Sequence, residues 1–123
     1  MVKTIIIDGK AVAFKATAAV PRLYRIKFKR DIIQDLNDLK GKYIKAVNGE
    51  ETFEIPDLEI FENAAYIMAK HADNNIPSSP EEWLEGFETF SIYEILPEVI
   101  GLWVDNEVSL AESKKKINQL TAH

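Results

Sequence analysis

The sequence predicts an α+β fold that is mainly α-helical, with four or five helices and an N-terminal β-hairpin. Asp8-Gly9 stands between two short β-prone segments, and this dipeptide favours the tight turn of a hairpin. Apolar residues then recur at helical spacing over 21–40 and again from Pro56 onward. Ser-Pro and Ser-x-x-Glu patterns further along the chain are typical of helix starts.

Length and composition predict one compact domain. The chain has 123 residues, of which 46% are hydrophobic and 28% charged, and it has no cysteine. Disulfides, zinc–thiolate sites, iron–sulfur clusters and thiol nucleophiles are therefore excluded. We expect a single domain over 1–105, with the hairpin in 1–17, and a polar C-terminal tail over 106–123. No secretory signal or bilayer-spanning apolar run is evident, which predicts a cytoplasmic protein without a membrane partner.

The predicted hairpin pairs 2–7 with 11–16. Val12 and Phe14 alternate with small residues, so one face of the hairpin should be covered. A two-stranded hairpin alone is marginally stable in water. It must therefore pack on a helix or extend a sheet in a neighbouring subunit.

A first helix is predicted over 21–40, beginning at Pro21 and ended by Gly41. Ile26 and Ile33 should widen its buried face. Asn48-Gly49 is a second turn signal, so 41–55 forms either a small second hairpin or a simple loop. The main apolar stripe of the first helix comprises Tyr24, Phe28, Ile32, Leu36 and Leu39.

Three further helices follow in the prediction. One begins at Pro56 and carries an apolar stripe through Phe61 and Met68, and the next begins after Ser79. Ser91 and Glu94 have capping-box spacing and open the last helix. The inward residues of that last helix are Ile92, Ile95, Leu96, Val99 and Trp103.

Charge is distributed very unevenly along the chain. Residues 1–49 hold eleven Lys or Arg and four Asp, whereas residues 50–112 hold one lysine and sixteen acids. Arg22, Arg25 and Lys29 have the spacing of one helical face. That face is solvated, or pairs with the acidic half of this protein, or binds nucleic acid, in decreasing order of preference. The net charge of −5 argues against a nucleic-acid partner.

Catalytic and ligand-binding patterns are missing from the sequence. The two histidines, His71 and His123, stand far from any serine arrangement that would form a catalytic triad, and no phosphate-binding glycine motif occurs. Neighbouring carboxylates such as Glu81 and Glu82 point in different directions on a helix. We expect no enzymatic activity, no metal and no cofactor.

Aromatic residues concentrate near the end of the predicted domain. Most should belong to the core, but some could line a groove or a subunit interface, where aromatic residues are enriched. Together with Arg22, Arg25 and Lys29 they are the candidate partner-binding residues. The aromatic candidates are Trp83, Phe87, Phe90, Tyr93 and Trp103.

Three segments together resemble the tail assembly chaperones of long-tailed bacteriophages and prophages of Gram-positive bacteria. They are KATAAVPRLYR, FENAAYIMAKHAD, and a WLxxF pattern followed by FSIYEILP, and the resemblance covers about residues 2–104. It implies a homo-oligomeric chaperone in the host bacterial cytoplasm that is absent from the mature virion. Such a protein binds the tape measure protein and helps to recruit the major tail tube protein. Members of this family commonly have a longer second product made by ribosomal frameshifting, and the hypothesis here is that an adenine-rich stretch encoding the lysine run 114–116 is the slippery site.

Two alternatives come from other functional classes. The chain could be a structural tail or head–tail joining protein that stays in the particle, or a small nucleic-acid-associated regulator.

The charge asymmetry also suggests how copies could stack head to tail. In that hypothesis the basic face meets Glu59, Glu62 or Glu85 of a neighbour.

Overall fold

The computed structural model describes residues 1–104, and within them it confirms an α+β, mainly helical fold with an N-terminal hairpin. The strands are β1 (Val2–Ile7) and β2 (Lys10–Lys15). The helices are α1 (Val20–Phe28), α2 (Ile32–Val47), α3 (Ile55–Ala72), α4 (Pro80–Leu84) and α5, which runs from residue 92 through 104.

The hairpin forms where the Asp-Gly turn predicts it. Asp8 and Gly9 both have positive φ, 52° and 74°, as a two-residue hairpin turn requires. The strands are antiparallel, with Val2 opposite Lys15 and Ile7 opposite Lys10. The inner face of the hairpin is covered because β2 packs against α3, so Phe14 is fully buried.

The prediction of one continuous helix over 21–40 is wrong, because two helices occupy this region. Lys29 adopts a left-handed conformation (φ 59°), and its N–H bonds to the Arg25 carbonyl and ends α1. Asp31 then caps α2, accepting a hydrogen bond of 2.9 Å from the N–H of Ile33. The apolar stripe from Tyr24 to Leu39 is nevertheless on the buried side of both helices.

Gly41 does not end a helix, and Asn48-Gly49 does not form a second hairpin. Helix α2 continues through Gly41 to Val47, and Gly49 at φ 76° terminates it. The N–H of Gly49 bonds to the Ala46 carbonyl at 3.1 Å, and the N–H of Glu50 to the Lys45 carbonyl at 2.9 Å. These two bonds define a Schellman motif, so the glycine signal at this position ends a helix. Residues 51–54 then form a loop.

Helix α3 lies at the centre of the molecule. It contacts β2, α1, α2 and α4, and its residues 64–69 are all buried. It begins one residue before Pro56, the predicted start. The carboxylate of Asp57 accepts a hydrogen bond of 2.8 Å from the Glu54 N–H at this helix start, and it also pairs with Lys42 of α2 at 2.7 Å.

The last two described helices begin near their predicted positions. The hydroxyl of Ser79 accepts a hydrogen bond from the Glu82 N–H at 3.2 Å, as the capping spacing predicts, but α4 has only five residues. The predicted inward residues of α5 are all buried. Asp105 and the predicted tail over 106–123 lie outside the described residues. None of the helices within 1–104 has both the length and the apolar character that crossing a bilayer requires.

Candidate partner-binding groove

Three of the five candidate aromatic residues form a cluster that joins the hairpin to the helices. The Trp83 ring is 5.4 Å from Phe87 and 5.2 Å from Phe90, and it also meets Phe14 of β2 edge-on at 6.4 Å. Trp83 is 5% exposed, and Phe87 and Phe90 are half-buried. These side chains therefore serve mainly as core, as most of the aromatics were expected to do.

Trp103 and Tyr93 differ strongly in their exposure. Trp103 of α5 is 4% exposed and belongs to the hydrophobic core. Tyr93 is 52% exposed, and its ring lies 5.5 Å from the half-buried ring of Phe53. Tyr93 is thus the candidate aromatic residue with the largest exposed fraction.

Arg22 and Arg25 are exposed on α1, but Lys29 does not extend their helical face. Helix α1 ends at Phe28, so the i+7 position falls beyond its last turn, and the Lys29 ammonium donates back to the Ile26 carbonyl at 3.0 Å. The predicted three-residue basic face is therefore reduced to Arg22 and Arg25. Neither arginine joins an ion pair within residues 1–104.

Other basic residues of the N-terminal half do pair with the acidic half of the chain. Lys3 pairs with Glu98, Lys42 with Asp57, and Lys45 with Glu51. Part of the charge asymmetry is thus neutralised within one copy, by residues that the sequence interpretation did not single out. Within residues 1–104, Arg22, Arg25 and Lys27 of α1 form no ion pair, and neither do Lys10 and Lys15 of β2.

A groove of about 480 Å³ runs between α1 and α3. On its α1 side Leu23 and Ile26 are 37% and 57% exposed, whereas Tyr66 and Ile67 of α3 are buried beneath it. Among residues 1–104, no acidic side chain lines it. We call this feature the α1–α3 groove, and its lining residues are Leu23, Ile26, Lys27, Tyr66, Ile67, Lys70, His71, Asn74 and Ser78.

Two lysines in the groove are held in place by backbone carbonyls. The Lys27 ammonium donates to the Ser78 carbonyl at 2.9 Å and lies 5.7 Å from the centre of the Tyr66 ring. The Lys70 ammonium donates to the carbonyls of Asn74 at 2.8 Å and Ile76 at 2.6 Å. Carbonyl partners orient an ammonium without cancelling its charge, so both lysines still contribute positive potential to the groove.

His71 lines the same groove and is joined to Thr17 by a hydrogen bond of 2.8 Å between Nε2 and the hydroxyl. Burial lowers the pKa of His71 below its ordinary value, and the charge of Lys15 adds to this effect. The folded state therefore favours the neutral ring. As expected from the sequence, it lies at the edge of the apolar face of α3, where it links that helix to the segment after β2.

A smaller, acidic pocket of about 320 Å³ lies between α3 and α4. Its lining includes Glu59, Glu62 and Glu81, and none of the cationic side chains of residues 1–104. Burial raises the pKa of Glu62, and the nearby charge of Glu59 raises it further. Despite these acids, residues 1–104 contain no group of three or more histidine, cysteine or acidic residues placed to hold a metal ion.

Ile26 of the groove was expected to be buried, and the structure overturns that expectation. Ile33 is likewise 42% exposed. Both side chains lie outside the stripe of Tyr24, Phe28 and Ile32. Their positions beside the stripe were the sequence signal that could have predicted their exposure. Sequence reasoning did not identify Leu23, Lys27 or Lys70 as a site, because they converge only after α1 packs on α3.

Comparison with protein-family models, with curated proteins and with solved structures finds no match to this chain. The geometry offers an apolar groove with positive charge at its borders. Such a surface can bind one face of a polypeptide by noncovalent contacts.

Proposed function

We propose that this chain is a tail assembly chaperone of a long-tailed bacteriophage or prophage and that it acts by binding, without chemical catalysis. In this proposal it binds a helical segment of the tape measure protein in the α1–α3 groove and helps to recruit the major tail tube protein. It works in the host cytoplasm and is absent from the mature virion. The proposal is supported by the resemblance of residues 2–104 to that family and by the character of the groove.

The observation that carries the proposal is the exposure of Leu23 and Ile26 beside Lys27 and Lys70, in a lining to which the described part of the chain contributes no acid. Leu23 and Ile26 are three residues apart on α1, so they present adjacent apolar surfaces. An amphipathic helix places apolar residues in such a groove and keeps polar residues at its borders. The two ammoniums favour a partner helix with acidic residues next to its apolar stripe.

Co-purification tests this proposal. The proposal expects a gene for a long helical protein immediately downstream of the gene for this chain, and the product of that gene, co-expressed with the full chain, is the probe. Ile26→Glu places a carboxylate in the apolar part of the groove, and we expect at least a tenfold loss of captured partner. Ile44→Glu is the matched control, because Ile44 of α2 is 53% exposed and lies outside the groove.

Equal capture by both variants and by the unmodified chain would reject the groove as the binding site. Failure of the unmodified chain to capture the long helical protein would reject the chaperone function itself. Mass spectrometry of purified particles separates the structural alternative, because a chaperone is absent from them and a joining protein is present.

A further inference from the structure

Strand β1 has one edge that no described residue covers. The Met1 ammonium donates to the Ala16 carbonyl at 2.8 Å, and the Ala16 N–H donates to the Met1 carbonyl at 2.9 Å. Because bonded and non-bonded positions alternate in an antiparallel pair, Lys3, Ile5 and Ile7 also bond toward β2. The backbone N–H and C=O groups of the three intervening residues therefore point away from β2. These residues are Val2, Thr4 and Ile6.

This edge lacks the features that usually prevent strand pairing. Edge strands are commonly interrupted by proline, bulges or outward charges. The register of β1 is continuous over six residues, without a bulge or proline. Lys3 is the one charged residue of β1. Because side chains alternate along a strand, it lies on the face opposite to Val2, Thr4 and Ile6, and it pairs with Glu98. Val2 and Ile6 are 64% and 66% exposed, so the edge is apolar as well as unpaired.

The edge is complementary to a second copy of itself. If Thr4 of one copy lies opposite Thr4 of another in an antiparallel pair, Val2 of each copy lies opposite Ile6 of the other. All the outward backbone groups then find partners, giving about six hydrogen bonds. Two Val–Ile cross-strand contacts form beside them.

Charge is also compatible with this symmetric pairing. In that register Lys3 lies opposite Ile5, so the two ammoniums do not face each other. The side chains on the pairing edge carry no charge of either sign, which gives no advantage to a charged partner strand. A second copy supplies the matching strand in the matching register, and this makes it the occupant that the edge fits.

We propose that two copies of this chain associate through their β1 edges, with a two-fold axis at Thr4, and form a continuous four-stranded antiparallel sheet. This association goes beyond the proposed chaperone function. It shares no residue with the α1–α3 groove. The sequence analysis expected the hairpin to pack on a helix or to extend a sheet in a neighbouring subunit. The proposed association adds the second kind of contact to the packing of β2 on α3.

Thr4→Lys tests the interface by placing two ammoniums against each other at the two-fold axis. Sedimentation velocity of the full chain should change from twice the 14.0 kDa chain mass to that mass itself. Ala11→Lys is the matched control, because Ala11 is exposed on the same hairpin face but lies on β2. It should leave the dimer intact. An equimolar mixture of Thr4→Lys and Thr4→Glu chains should restore association, because opposite charges then meet at the axis.

A monomeric unmodified chain, or equal effects of the Thr4 and Ala11 substitutions, would overturn the proposal. Retention of the dimer in Thr4→Lys would do the same. If Thr4→Lys fails to fold, oxidation of a Thr4→Cys variant replaces it as the test, since the chain has no other thiol. A disulfide-linked dimer should form with Thr4→Cys and not with Ala11→Cys. The absence of a linked Thr4→Cys dimer excludes the interface, whatever partner the groove binds.

Discussion

The phenol of Tyr24 donates a hydrogen bond of 2.8 Å to the carboxylate of Asp35. Asp35 is 3% exposed and is the one buried acidic residue among those described. The Arg30 guanidinium holds the same carboxylate through two further bonds of 2.8 Å. In one straight helix, Tyr24 and Asp35 would lie about 16 Å apart along the axis. The break between α1 and α2 is what brings them together.

Removing the phenol should therefore cost stability. Tyr24→Phe leaves a buried carboxylate with one partner fewer, and we expect a loss of about 1–3 kcal/mol in the free energy of unfolding. Tyr93→Phe is the control, because Tyr93 is 52% exposed and should change that free energy little. Urea unfolding of both variants measures the difference. Equal effects would mean that the bond does not stabilise the helix junction.

The Asp35 carboxylate should also make stability depend on acid pH. Burial alone would raise its pKa, but hydrogen bonds from Arg30 and Tyr24 outweigh burial and hold the pKa below its ordinary value of 3.8. The folded state thus favours the ionised form, and its stabilising effect is complete above about pH 4. The destabilisation caused by Asp35→Asn should shrink as pH falls from 5 to 3. A constant difference would contradict the ionic contribution.

Two glycines in and after α2 should respond oppositely to alanine. Gly41 lies inside the helix with nothing within 4 Å of an added Cβ, so Gly41→Ala should raise stability by about 0.5–1 kcal/mol. Gly49 has φ 76°, and Gly49→Ala should lower stability by about 1–2 kcal/mol. Thermal unfolding of the two variants tests the observed bounds of α2. Opposite signs to these would favour the helix end at 41 that the sequence suggested.

The Trp83 cluster should dominate the stability of the core. Trp83→Ala removes a ring that contacts Phe14 of β2 and Tyr66 of α3, and we expect a loss of about 3–5 kcal/mol. Tyr93→Ala, at an exposed aromatic residue, should cost much less. Chemical unfolding followed by circular dichroism measures both. A small effect at Trp83 would place the stabilising core elsewhere.

His71 should produce a second pH dependence, at milder acidity. Its folded-state pKa lies below the ordinary value of 6.5, so the folded state favours the neutral ring. Its contribution is complete above about pH 6.5 and is lost as pH falls through the lower folded value. His71→Gln should flatten the decline of unfolding free energy as pH falls below about 6.5. An identical profile in the variant would show that other groups cause the decline.

Glu62 should destabilise the molecule at neutral pH. Burial and the charge of Glu59 raise its pKa, so ionised Glu62 is disfavoured in the folded state. We expect Glu62→Gln to stabilise the fold at pH 7 by on the order of 0.5 kcal/mol, a modest gain because the group is partly solvated. The gain should vanish below about pH 4, where the carboxyl is protonated in both states. Glu88→Gln, at an exposed carboxylate, controls for the loss of one charge.

The sequence by itself determined the features that depend on neighbouring residues. Asp8-Gly9 specifies the hairpin because its two residues accept positive φ, and Ser79 specifies a helix start because its hydroxyl caps the following turn. The apolar spacing in α3 and α5 likewise determined which sides of those helices are buried. These signals act over a few residues, so they can be recognised in the amino-acid sequence alone.

Only the tertiary structure decided the break after Phe28, the exposure of Ile26 and the edge of β1 that no residue of 1–104 covers. The stripe through Tyr24 and Ile32 has the same spacing whether the helix is straight or interrupted, and Asp35 looks like a surface residue until Tyr24 and Arg30 surround it. Exposure of an apolar side chain depends on which element packs against it, and that element is distant in sequence. The α1–α3 groove and this edge of β1 are for this reason properties of the packed chain.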